Sequence, residues 1–156
     1  MHDTFEGERG GDFCLAKAGL AEGTNANTIR INTPDAEGVH YCIGGILYHK
    51  ADTDNIVMNA LPLQAALTSC LYVVQINAAG TVTMKKGREV PTAALTGGTD
   101  VLDWPQPDNN QIALGYLRIA LANAATFTNG STDLGATDVV DTFFDVFRTP
   151  ARPLTS

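Results

Sequence analysis

Leu71-Tyr-Val-Val-Gln-Ile-Asn-Ala-Ala-Gly-Thr-Val-Thr-Met-Lys-Lys86 decides the fold class, because its register can be worked out residue by residue. Tyr72, Val74 and Ile76 alternate onto one face of the first arm, and Val82 and Met84 do the same in the return arm. A two-residue loop at Ala78-Ala79 would set Ile76 against Thr81 and put the two apolar sets on opposite sides. A three-residue loop, Ala78-Ala79-Gly80, pairs Ile76 with Val82 and Val74 with Met84. That length calls for a type I turn followed by a residue at positive φ, and Gly80 stands there. A slip of one residue would turn every side chain over, so turn and pattern specify one β-hairpin together.

Outward from the hairpin, the sequence reads as further strands. Thr28 to Asn32 is a short strand ended by the turn signal Thr33-Pro34-Asp35. Val39, Tyr41 and Ile43 share a face in the next run, Gly44-Gly45 interrupts it as a bulge or tight bend, and Ile46-Leu47-Tyr48 resumes. Ala51 to Asn55 reads as a turn and Ile56 to Met58 as a strand. Leu61 to Thr68 has helical spacing at Leu63, Ala66 and Leu67, enough for one or two turns at most. Gly87 to Pro107 is proline- and glycine-rich and reads as a long contact loop. Trp104, the only tryptophan, either pins that loop to the core or offers a partner-binding surface.

Gln111 to Leu121 is apolar on both faces, with Ile112, Leu114 and Tyr116 on one and Ala113, Leu117, Ile119 and Leu121 on the other. Such a strand belongs in the middle of a sheet. Thr126-Phe127-Thr128 continues the sheet and Asn129-Gly130 turns the chain. Asp138 to Phe147 is the last strand, with Val140, Thr142, Phe144 and Val146 as its core face. The expected fold is all-β, an antiparallel sandwich or barrel-like sheet over residues 28–148. Residues 1–27, poor in periodicity, are expected to be an extended N-terminal arm, and residues 149–156 an extended C-terminal tail.

With 156 residues, one domain is the simplest organisation, large enough to bury roughly 70% of its unfolded surface. Charged residues are only 17% and the formal net charge is −7. No basic cluster exceeds Lys85-Lys86, so nucleic acid is not expected as a direct ligand. Met1 to Gly11 has no apolar segment of the secretory kind, and no run approaches the ~20 apolar residues of a membrane span. A membrane partner is therefore not expected, and synthesis in a cytosol is. Cys14, Cys42 and Cys70 are an odd, widely spaced set and read as buried free thiols.

The chemistry-bearing residues form no recognised constellation. His40 and Cys42 lie two apart with His49 nearby, but two soft ligands without a further motif do not make a zinc site. Asp52 and Asp54 lack the glycine and glutamate of a calcium loop. Asp138, Asp141 and Asp145 read as solvated or hydrogen-bonding carboxylates rather than an acid–base pair. Nucleophile-elbow and phosphate-loop patterns are absent. No catalytic, cofactor or metal residue is assigned, and an enzyme is not expected. Arg118, the one charge in an apolar strand, must reach water or meet a carboxylate; Asp141 or Asp145 would serve, within one chain or between two.

Leu71 to Lys86, Leu114-Gly115-Tyr116-Leu117-Arg118-Ile119 and Phe127-Thr128-Asn129-Gly130-Ser131-Thr132-Asp133-Leu134 together resemble a group of small tailed-bacteriophage virion proteins. These share a Tyr-Val-Val-type strand, an Asn/Asp-x-x-Gly-x-Val turn, a Leu/Ile-Gly-Tyr-x-Arg/Lys-Ile strand, a Phe-Thr-x-Gly-Ser/Thr-Thr segment and a closing aromatic strand. The resemblance spans residues 68–148. It implies a virion structural protein, in particular a trimeric decoration (cement) protein bound to the major capsid protein on the outside of the head. A tail or fibre-attachment component is the neighbouring possibility. A carbohydrate- or host-surface-binding module built on Trp104 and Tyr116 is an alternative of a different class.

Overall fold

The structure, a computed structural model, describes residues 11–150 and 153–154. Among the described residues, ten strands form three antiparallel sheets, and there is one short helix. The four-stranded sheet has the order β10 (Val139–Asp145), β9 (Gln111–Leu121), β7 (Thr68–Asn77), β8 (Val82–Pro91). Two three-stranded sheets pack on one of its faces. One has the order β1 (Phe13–Cys14), β4 (Val39–Ile43), β5 (Ile46–Lys50); the other β2 (Leu20–Glu22), β3 (Thr28–Ile31), β6 (Thr53–Val57). The fold is a β-sandwich, in agreement with the all-β reading.

The organising hairpin has the register that its pattern dictates. Val74 lies opposite Met84 and Ile76 opposite Val82, and Gly80 has φ +76°. Asn77 closes the loop, its carboxamide oxygen accepting from the amides of Ala79 and Thr81 at 3.0 Å each. Tyr72, Val74, Ile76 and Met84 enter the main core, where they meet Ile29, Ile31, Val39 and Tyr41 from the smaller sheets. The other face of β7 is also buried. Leu71 and Val73 form a second core with Val90, Leu95, Leu102 and Tyr116, beneath the helix α1 (Thr92–Thr96) and the segment after it.

Two bulges in the four-stranded sheet change the phase of its pattern. In β9, Val74 pairs with Gly115 and Gln75 with Ala113, leaving Leu114 as an extra residue. Beyond it the alternation inverts. Ile112 and Leu114 face the main core with Leu117, Ile119 and Leu121, while Tyr116 faces the second core with Ala113. The strict alternation expected across 112–121 is thus corrected by one inserted residue. Gly115 sits at the crossing, where a Cβ would lie 2.4 Å from the Phe144 carbonyl oxygen and 2.5 Å from Leu20 Cδ1. A second bulge sets Leu71 against two residues of β8, Gly87 and Arg88. It lets β8 run on to Pro91, inside the stretch expected to be a loop from Gly87.

The arm expected over residues 1–27 is corrected from Phe13 onward; Met1 to Gly10 lie outside the described residues. Cys14, Ala18 and Leu20 are buried in the main core, and β1 and β2 add to β4 and β3. Strands of two and three residues are too short to carry a period that a sequence pattern reveals. Gly44-Gly45, at φ +57° and +82°, is the two-residue turn of a β4–β5 hairpin rather than a bulge. Leu61 to Thr68 contains no helix: Gln64 and Phe127 form an isolated bridge, and Leu63 and Leu67 are exposed. Phe127 forms only that isolated bridge and extends no strand, and its ring is buried in the main core, edge-on to Tyr72. Phe144 and, just after β10, Val146 pack on the second core as the sequence reads, but Val140 is exposed, and Val139 and Phe143 on the opposite face enter the main core. Within the tail, Leu154 bridges Leu102 and packs on the second core.

Candidate functional site

The polar side chains singled out in the sequence hold the fold together. Asp52 accepts hydrogen bonds from the amide and hydroxyl of Thr33 at 3.0 and 2.9 Å, and Asp54 from the amide and hydroxyl of Thr24. The Thr24 contacts hold the Asp54 carboxyl below the usual range. Asp138 accepts from the Asn123 carboxamide at 2.9 Å, and Asp145 from the Leu20 amide at 3.0 Å. Asp145 thereby docks β2 on the end of β10.

Arg118 lies opposite Leu71 on one side and Thr142 on the other. Asp141 pairs with Ile119 and Asp145 with Gly115, one and three residues from the arginine along β9 and so on the opposite face. Both carboxylates therefore face away from it, and of the two pairings the sequence leaves open, the one inside the chain is not formed. The Arg118 Nε is buried without a hydrogen-bond partner.

Trp104 packs edge-on against Tyr116, with ring centroids 4.7 Å apart, and against Phe144 at 5.7 Å. It pins the 97–110 segment to the second core. Salt bridges from β8 fasten the same segment, Arg88 forking onto Asp100 at 2.8 and 3.1 Å and Lys85 meeting Asp108 at 2.9 Å. Each is exposed and individually weak. A cleft of about 310 Å³ opens between Asp12, Gln106, Gln111 and Arg148, without converging nucleophile and base.

Cys14 and Cys70 are buried free thiols. Burial first, and the Asp145 charge second, push Cys14 up to about 12; burial likewise pushes Cys70 up to about 12. Cys42 is buried beside Phe13 on the outward side of β4. His40 and His49 are cross-strand neighbours on that same side, with ring centroids 4.6 Å apart. Among the described residues no group of three or more His, Cys, Asp or Glu is placed to hold a metal.

The surface features that the internal structure leaves unused are the strand edges, and they are not treated alike. The outer edge of β8 is covered. The Asn59 carboxamide donates to the Met84 carbonyl at 3.1 Å and accepts from its amide at 2.6 Å, imitating a paired strand. Lys86 Nζ donates to the carbonyls of Pro62 and Leu63, and Glu89 accepts from the Ala65 amide. Burial would raise the Glu89 carboxyl, but Lys86 and the Ala65 amide outweigh it and hold it below its ordinary value.

The edges of β5 and β6 have no such cover among the described residues. β5 reads Ile46-Leu47-Tyr48-His49-Lys50, pairs with β4 without a bulge, and has Ile46 60% and Leu47 65% exposed. β6 leaves Val57 75% exposed. Isolated domains blunt such edges with charge, proline or a bulge; along β5 only the terminal Lys50 does so. Periodicity could not reveal this, since it identifies strands and not which strand lies outermost. No family model, curated protein or solved structure matches the chain.

Proposed function

We propose that the chain is a structural component of a tailed-bacteriophage virion, a decoration protein that binds the outside of the head and stabilises it as a trimer. The unprotected, apolar edge of β5 carries this reading. Burying a side chain such as Leu47 contributes about 1.5–3 kcal/mol, and at 65% exposure most of that is left to be gained on contact. Unpaired backbone groups along the same edge supply direction through added strand pairing. Val57, exposed on the edge strand β6 of the other small sheet, offers a second apolar contact for subunits or capsid protein. Many such modest contacts, repeated over a lattice, give firm attachment without any one tight interface. The resemblance over residues 68–148 supports the virion setting, and the sandwich supplies the rigid body it requires. The packing of Trp104 into Tyr116 and Phe144 disfavours an aromatic sugar-binding platform at that position.

The test is to mix the purified chain with phage heads that lack it. Co-sedimentation with the heads and a higher melting temperature of the heads are expected, and Leu47→Asp should reduce both. Failure to bind heads, or binding confined to tails, would overturn the decoration reading.

A further inference from the structure

The outward face of the β1–β4–β5 sheet carries two imidazoles side by side across a strand pair. The Gly44-Gly45 turn closes on the pair Ile43–Ile46, and strand pairs then alternate in type. Counting back from the turn makes Cys42–Leu47 and His40–His49 the non-hydrogen-bonded pairs, where side chains stand closest across the strands. The His40 and His49 ring centroids are 4.6 Å apart with planes tilted by 40°, and both residues are exposed.

The His49 ring is also held in place. Its Nε2 lies 2.7 Å from the Glu37 carbonyl oxygen. A carbonyl only accepts, so Nε2 donates here, which in the neutral ring leaves the lone pair on Nδ1. Gly38, at φ +83°, makes the room, since a Cβ there would stand 2.8 Å from His49 Nε2. A backbone carbonyl bound to the far ring nitrogen is the support that fixes tautomer and orientation in metal-binding histidines.

We propose that His40 and His49 form a two-ligand surface site for a divalent transition metal of the imidazole-binding class, clipping β4 to β5 beside Leu47. Imidazole nitrogens favour zinc, nickel and copper over magnesium and calcium. Cys42 shares the face but its side chain is buried, so water fills the remaining positions of the metal. The site rests on the geometry of this hairpin and stands whether or not the chain decorates a capsid.

The experiment is titration of the full chain with Ni²⁺ alone, in a non-coordinating buffer, followed by calorimetry and backbone NMR. One Ni²⁺ per chain should bind, with paramagnetic broadening centred on His40, Leu47 and His49. The melting temperature should rise with Ni²⁺ concentration, as binding to the folded state alone requires. His40→Gln and His49→Gln, both at exposed positions, should each weaken binding about tenfold or more and abolish the thermal shift. No saturable binding below about 1 mM would overturn the proposal. Undiminished binding in the His40→Gln/His49→Gln double variant would do the same, placing the metal elsewhere, for example at His2.

Discussion

Gly80 offers the sharpest check on the hairpin, because its cost on substitution can be separated into parts. It has φ +76°, and a Cβ built there meets only Lys50 Cδ, at 3.8 Å. That is ordinary contact, so there is no steric term. What remains is the left-handed backbone, which costs an L-residue about 1–2 kcal/mol and a β-branched one more. Removing glycine also restricts the unfolded chain, which returns about 0.4–1 kcal/mol. Gly80→Ala should therefore lose about 1 kcal/mol and Gly80→Val about 2 kcal/mol. Gly80→Asn should lose only a few tenths, since asparagine tolerates this region. Urea unfolding of the three variants measures this, with the slope expected to stay constant. Equal losses for Asn and Val would refute a conformational origin. Three variants as stable as the parent would remove the proposed turn.

Gln64 is buried, its carboxamide donating to the Thr68 and Ile119 carbonyls at 3.1 Å each and accepting from the Tyr72 hydroxyl at 3.0 Å. Gln64→Leu strands three buried groups, and a loss of about 3 kcal/mol or more is expected by urea unfolding; a loss below about 1 kcal/mol would contradict the network. Gly115→Ala should destabilise more than Gly80→Ala, because its Cβ would press on the Phe144 backbone at 2.4 Å; equal losses in thermal unfolding would contradict that packing. Stability should fall in alkali. Cys14 and Cys70 ionise near 9.0 when unfolded but only at about 12 when folded, so the unfolded state releases protons first, and their contribution, whole below pH 9, is lost as pH rises toward 12. A melting temperature unchanged between pH 8 and 10.5 would contradict the burial of these thiols.

The hairpin was legible in the sequence because turn length, glycine position and apolar pattern each constrained the same register. β9 was legible as a central strand, with its bounds at Gln111 and Leu121, since apolar residues on both sides require two covers. Its faces were misread, however, because a bulge is a property of the pair. Only the register against Val74 and Gln75 reveals that Leu114 is extra. β1 and β2 escaped notice for a related reason. Phe13-Cys14 and Leu20 to Glu22 owe their structure to the sheets they join, not to any local period. Arg118, a charge inside an apolar strand, demands an explanation on sequence alone, but the registers that turn Asp141 and Asp145 to the other face are set three-dimensionally. The edges of β5 and β6 were invisible for the same cause, strand order being a tertiary fact.

Sedimentation velocity of the full chain and of Leu47→Asp, each alone and with heads lacking the protein, bears most directly on the role of these edges. The expected result is a parent chain heavier than its 16.5 kDa monomer that co-migrates with heads, both properties falling away in the variant. A parent chain that stays monomeric at every concentration, ignores the heads and behaves like Leu47→Asp would contradict an assembly role.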